Sequence, residues 1–288
     1  MMAMKSAFRR SLTALLTGTL LSAAHATEPA FATSWVKEHS TSVRLIAGDV
    51  DLGGGSPTLV AGVEIRLDEG WKTYWRNPGS SGVPPRVDWA GSENLAEATL
   101  LFPAPQRFVD KEGDTIGYKK TVVLPVLVRP RDPAKPVVLK LALEYGVCRE
   151  VCIPVQPNFT LELPAGKSVG SAGSQLFDAI ARVPRDAKSR QPGDPLLKSV
   201  TVELTGDKPR IGIAAEFPGG TKGADVFLEA PDGLWIPLAK LLPGGDGAVR
   251  TFEVDLTDGA DIGDLKGREI RVTLVSEAGQ TQTTFKLE

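Results

Sequence analysis

Cys148 and Cys152 are the only cysteines in the 288-residue chain, and three residues separate them in EYGVCREVCIPVQ (144–156). Two thiols this close can form a structural bridge, hold a soft metal ion, or exchange a disulfide with another protein. A bridge here closes a loop of about five residues, which the chain-entropy relation values at ~2 kcal/mol. Longer loops gain more, and a chain of this length builds a core without a staple. Arg149, between the cysteines, favours a thiolate, whereas Glu150 opposes it. Met1, Met2, Met4 and His25 all fall in the first 26 residues, so His39 and the two cysteines are the soft or borderline ligands that remain. A Met-rich copper site is thereby excluded, and a zinc site needs carboxylates to complete it. No metal or other cofactor is assigned. The local pattern demotes metal and leaves bridge and redox pair open.

Other residues have plainer readings. Trp71, Tyr74 and Trp75 could stack a sugar, but beside the apolar Val63, Ile65 and Leu67 they read as packing. Asp68-Glu69 reads as a solvated turn, and Asn158-Phe159-Thr160 is a glycosylation sequon without further support. A phosphate-binding glycine loop, a G-x-S-x-G elbow and an H-E-x-x-H helix are all missing from the sequence. His39 alone supports no Ser–His or Cys–His hydrolase.

The surrounding elements must present the pair. Lys5, Arg9 and Arg10, then the apolar run 12–21 and Ala24-His25-Ala26, read as a secretory signal peptide over 1–26. Arg9-Arg10 also suits the twin-arginine route, but the residues after the pair fit its consensus poorly and favour Sec. Without its three basic residues, 30 basic side chains face 35 acidic ones, a net charge of −5. Neither nucleic acid nor an anionic membrane surface is a partner suited to that balance, and no later apolar run of 18 residues predicts direct membrane insertion. An oxidising compartment, the periplasm, is the expected location.

The remainder reads as all-β. TSVRLIAGDVDL, PTLVAGVEIRLDEGW, TVVLPVLVRP, PVVLKLALEYGV and PNFTLELP alternate or are rich in β-branched residues. They predict one immunoglobulin-like β-sandwich over 27–165. A linker over 166–196 holds one helix, SQLFDAIARVP, with Ser174 as its cap and Leu176, Phe177, Ile180 and Val183 as its apolar face. Six strand patterns then predict a second, smaller sandwich over 197–288. Gly146 and Pro154 bracket the cysteines too tightly for a helix, so the pair belongs at the tip of a hairpin.

Two segments together, GWKTYWRNPGSSGVPPRVDW (70–89) and YGVCREVCIPVQPNFTLELP (145–164), resemble the periplasmic N-terminal domain of the thiol:disulfide interchange protein DsbD. They are more similar still to the related ScsB-type proteins linked to copper tolerance. The resemblance spans residues 35–165 and keeps the segment order: WxxYW block, Pro-rich stretch, LPV strand, cysteine pair and Ile153-Pro154. It implies a sandwich that takes electrons from a membrane-embedded thiol reductase and hands them to periplasmic thioredoxin-fold proteins, a chemistry connected with cytochrome c biogenesis. It further implies that Cys152 forms the mixed disulfide, that Cys148 resolves it, and that a cap loop in DKEGDTIGYKKTVVLPV sets Asp114, Ile116 and Tyr118 near the sulfurs. The transmembrane and thioredoxin-like segments of DsbD are not seen in the sequence, so the implied electron donor is a separate membrane protein. Two classes therefore compete: a thiol:disulfide oxidoreductase, and a non-catalytic β-sandwich binding module with a structural disulfide.

Overall fold

The structure, a computed structural model, describes residues 31–288 apart from 55–57, 80, 110–112, 166–171, 246 and 258. The expected signal segment and residues 166–171 of the expected linker lie outside the described residues. The fold is all-β and immunoglobulin-like, with little helix.

The first half runs β1 (Val36–Glu38), β2 (Thr41–Val50), β3 (Thr58–Leu67), β4 (Lys72–Gly79), β5 (Arg86–Asp88) and β6 (Leu95–Leu100). It continues with β7 (Gln106–Phe108), β8 (Thr115–Lys119), β9 (Thr121–Pro130), β10 (Val137–Cys148), β11 (Cys152–Val155) and β12 (Asn158–Leu163). One sheet has the order β1-β2-β3-β9-β6. The other is β11-β10-β4-β8-β7, with β12 and β5 also pairing β10. Between them lies a core of Val43, Leu45, Val63, Ile65, Leu124 and Val126 from one sheet and Trp75, Ile116, Leu141, Tyr145 and Val147 from the other.

β2 and β3 are buried along most of their length on both faces. Period-2 geometry sends Val43, Leu45, Ala61 and Val63 inward and Ile46, Val50 and Val60 outward. Helix α1 (Gly173–Ala181) covers the outward set with Leu176 and Ala179. Gly62 permits this approach: a Cβ there would sit 2.6 Å from Leu176 Cδ2. On the same face Glu64, 1 % exposed, accepts from Arg44 Nε at 2.8 Å and from Arg66 Nη2 at 2.9 Å.

The helix differs from its expectation in detail. Its N-cap is Ala172, without a side-chain cap, so Ser174 is not the capping residue. Phe177 points outward, 51 % exposed, and Val183 lies beyond the helix end at Ala181. Pro184 disfavours helical backbone at Val183, which accounts for the early stop.

The second half runs β13 (Arg185–Asp186), β14 (Leu196–Glu203), β15 (Arg210–Glu216), β16 (Asp225–Glu229), β17 (Lys240–Leu241) and β18 (Val249–Asp255). The short helix α2 (Ile262–Leu265), β19 (Glu269–Ser276) and β20 (Gly279–Lys286) complete it. Two four-stranded sheets, β13-β20-β19-β16 and β14-β15-β18-β17, enclose Ile211, Phe217, Phe252, Val254, Ile270 and Val272. The two halves touch through β16, whose Phe227 joins the first core and lies 5.7 Å from the Trp75 ring.

Candidate redox site

The 12-residue strand β10 turns at residues 149–151 and returns as β11. Its register pairs Tyr145 with Val155, Gly146 with Pro154, Val147 with Ile153, and Cys148 with Cys152. The hairpin therefore ends on the cysteine pair, joined as a disulfide with Cα atoms 4.3 Å apart. That separation suits a non-hydrogen-bonded antiparallel pair, about 4.5 Å. Pro154 has no N–H to donate, which β11 tolerates as the edge strand of its sheet.

The two sulfurs sit in different surroundings. Cys148 is 4 % exposed, held between β11 and β4, whereas Cys152 is exposed on the edge strand. Around Cys152 the tip residues Arg149 and Glu150 are exposed and Val151 is 70 % exposed. The Arg149 guanidinium lies 5.9 Å from the centroid of the half-buried Trp71 ring.

On the other side of β10, Cys148 pairs with Lys72 of β4, and Lys72 with Lys119 of β8. Side chains directly opposite in a sheet share a face, so Cys152, Cys148, Lys72 and Lys119 form one row. Tyr74, two residues after Lys72, lies on the same face, and its hydroxyl is 3.0 Å from Cys152 Sγ. A bridged sulfur carries no proton, so the hydroxyl is the donor. Two glycines make room for the buried ring: a Cβ on Gly82 would come within 2.5 Å of Tyr74 Cε1, and one on Gly146 within 3.3 Å of Cε2. Thr73, on the inner face, donates to the Gly146 carbonyl at 2.8 Å and ties β4 to β10.

Residues 54–164 match the family model described as thiol:disulfide interchange protein DsbD, N-terminal. Over those residues the chain is similar to the N-terminal domain of DsbD-type proteins. The N-terminal periplasmic domain of ScsB from Proteus mirabilis has a similar fold, with a TM-score of 0.67 at 22 % identity, covering 89 % of this chain and 98 % of that one. No curated protein matches the chain.

Of the residues expected to cap the sulfurs, Ile116 and Tyr118 are placed on the opposite face. Ile116 and Tyr118 belong to strand β8, and alternation sends them to the face opposite the Cys148 row. Ile116 is fully buried in the core, and the Tyr118 hydroxyl donates to the Pro103 carbonyl at 2.8 Å. Burial pushes the Tyr118 phenol well above its ordinary range. Asp114, just before β8, accepts from Arg107 Nη1 at 3.4 Å. Residues 110–112 of the same loop lie outside the described residues.

Tyr74, which the sequence offers as a stacking or packing residue, is a residue of the site. Its signal was the WxxYW block itself, in which Tyr74 alternates with Trp75 across the sheet. Tyr74 and Trp75 are both buried, so the block offers no open stacking platform. Asp68 and Glu69 form an exposed turn. Among the described residues no three His, Cys, Asp or Glu side chains are grouped to hold a metal, and no helix is long and apolar enough to cross a membrane.

Proposed function

We propose that this protein is a periplasmic thiol:disulfide relay in which Cys152 exchanges with partner proteins and Cys148 resolves the product. The observation that carries this reading is the asymmetry of the bridge, with Cys152 exposed at a sheet edge and Cys148 buried behind it. Exchange requires in-line access to one sulfur and a second thiol held against it.

In the reduced protein, the Cys152 thiolate attacks one sulfur of a thioredoxin-fold partner's disulfide. A Cys152–partner bond forms, and the partner's other sulfur leaves as a thiolate and takes up a proton. Cys148, deprotonated, then attacks Cys152 Sγ, which closes the Cys148–Cys152 bond and releases the second partner thiol. Two electrons have moved from this protein to the partner. A dithiol on a membrane-embedded reductase restores the reduced pair by the reverse sequence and is itself oxidised. The Tyr74 hydroxyl, already directed at Cys152 Sγ, would donate to the thiolate and favour it as attacking and leaving group.

The test is a titration of the full chain in glutathione buffers, counting free thiols by alkylation. A reversible two-electron transition in the folded protein is expected, and Cys148→Ser should trap a mixed disulfide through Cys152. A bond that resists reduction until the protein unfolds would replace the relay with a binding module held by a structural disulfide.

A further inference from the structure

Strand β4 serves two places at once. Its first residues, Lys72, Thr73 and Tyr74, pair in regular register with Lys119, Tyr118 and Gly117 of β8. The next pairing is Gly79 with Thr115, so five steps along β4 oppose two along β8 and the stretch between leaves its own ladder. That stretch is held by β16 instead. Arg76 donates to both carboxylate oxygens of Glu229 at 2.7 Å, and Asn77 Nδ2 donates to the Leu228 carbonyl at 3.1 Å. The Trp75 ring packs on Phe227. A second fork runs from Arg107 of β7 to Asp225 at 2.9 and 2.7 Å.

Both forks are mostly withdrawn from water, with side-chain exposures of 22 and 13 % in one and 15 and 19 % in the other. Screening is weak there, and bidentate geometry fixes orientation as well as distance. β16 is the edge strand of its sheet, and β4 reaches it through the side chains of Trp75, Arg76 and Asn77. Trp75, clamped against β16, is the immediate neighbour of Tyr74, which reaches Cys152.

We infer that the second sandwich is a positioning element for the disulfide: through Arg76–Glu229 and Trp75–Phe227 it sets β4 so that the Tyr74 hydroxyl stays on Cys152. Arg76 and Glu229 are positioning residues, distant from the reacting sulfurs and acting through Tyr74. The inference rests on the relay reading for its chemistry but assigns the second sandwich a role of its own.

The experiment uses the full chain with Cys148→Ser, so that Cys152 is a single thiol, and measures its iodoacetamide alkylation against pH and its mixed-disulfide formation with oxidised glutathione at pH 7. Glu229→Arg should move the alkylation profile to higher pH and slow mixed-disulfide formation about threefold. The effect is moderated because a less stabilised thiolate is also the better nucleophile. The charge-swapped pair Arg76→Glu with Glu229→Arg should restore both readouts. Tyr74→Phe should reproduce the Glu229→Arg change, and the two together should give no more than either alone. Phe227→Leu supplies a milder break of the same contact if the charge reversal fails to fold. Profiles unchanged in folded variants, or effects of Tyr74→Phe and Glu229→Arg that add, would overturn the inference and leave the second sandwich a spacer. Failure of the relay reading is distinct: there the native pair does not exchange with glutathione at all.

Discussion

The two sheets of the first sandwich share one core, yet their outer faces have opposite fates. The outer face of β2, β3 and β9 is sealed by helix α1, with Leu176 seated over Gly62 and Glu64 buried between two arginines. The outer face of β11, β10 and β4 carries the disulfide, ending at an exposed sulfur. Burying both faces of a sheet adds apolar contact and stability. On the other sheet Lys72, Tyr74 and Cys148 are buried as well, and the exposure is confined to the Cys152 edge of the disulfide. One outer face is closed by a helix while the other ends on a disulfide, and substitutions on the two should affect stability and thiol exchange separately.

The largest effect should come from the exposed end of the disulfide. Cys152→Ser is expected to abolish mixed-disulfide formation altogether, while lowering stability by only ~2 kcal/mol, the value of so short a loop. Alkylation-trapped gels and urea unfolding check the two halves. Next, Leu176→Ala on the sealed face should cost about 2–5 kcal/mol by leaving a cavity against Gly62 and Val123. Its redox titration should remain that of the native protein. A shifted midpoint would show that the two faces are coupled through the core.

Glu64→Gln removes one partner from a buried charge cluster and is expected to cost ~3 kcal/mol, because Arg44 is left buried without its carboxylate. Burial works to raise the Glu64 pKa, but hydrogen bonds from Arg44, Arg66 and Gln175 outweigh it and hold the carboxyl below its ordinary 4.5. A carboxyl lowered in the folded state contributes stability that is complete above 4.5 and is lost as pH falls through the lower folded value. Acid unfolding of Glu64→Gln should lack that component, which denaturant melts between pH 3 and 6 (about the carboxylate range) would reveal. The smallest effect belongs to Tyr74→Phe, about 1 kcal/mol in stability, with its main signature in the pH profile of Cys152.

The strands were legible because their signal is local. TVVLPVLVRP became β9 from Thr121 to Pro130, and the hairpin position of the cysteines followed from Gly146 and Pro154. β4 was not read as a strand, because KTYWRNPG mixes charged, aromatic and turn residues without clean alternation. Its partners explain that mixture: one end serves the disulfide and the other serves β16. Ile116 and Tyr118 differ from expectation for a related reason. Sequence order brings Ile116 and Tyr118 close to the LPV strand, but which face a strand residue takes is decided by its register against β4.

By itself, the sequence determined the all-β class, the place of the helix, the hairpin that ends on Cys148 and Cys152, and the family those motifs resemble. Each rests on a period, a turn signal or a spacing carried within a few residues. Only the tertiary structure decided that Cys152 is open and Cys148 closed, that Tyr74 reaches a sulfur 78 residues away, and that Arg76 meets a carboxylate 153 residues away. Exposure and long-range contact depend on how sheets register and pack against one another, and no local pattern carries that information.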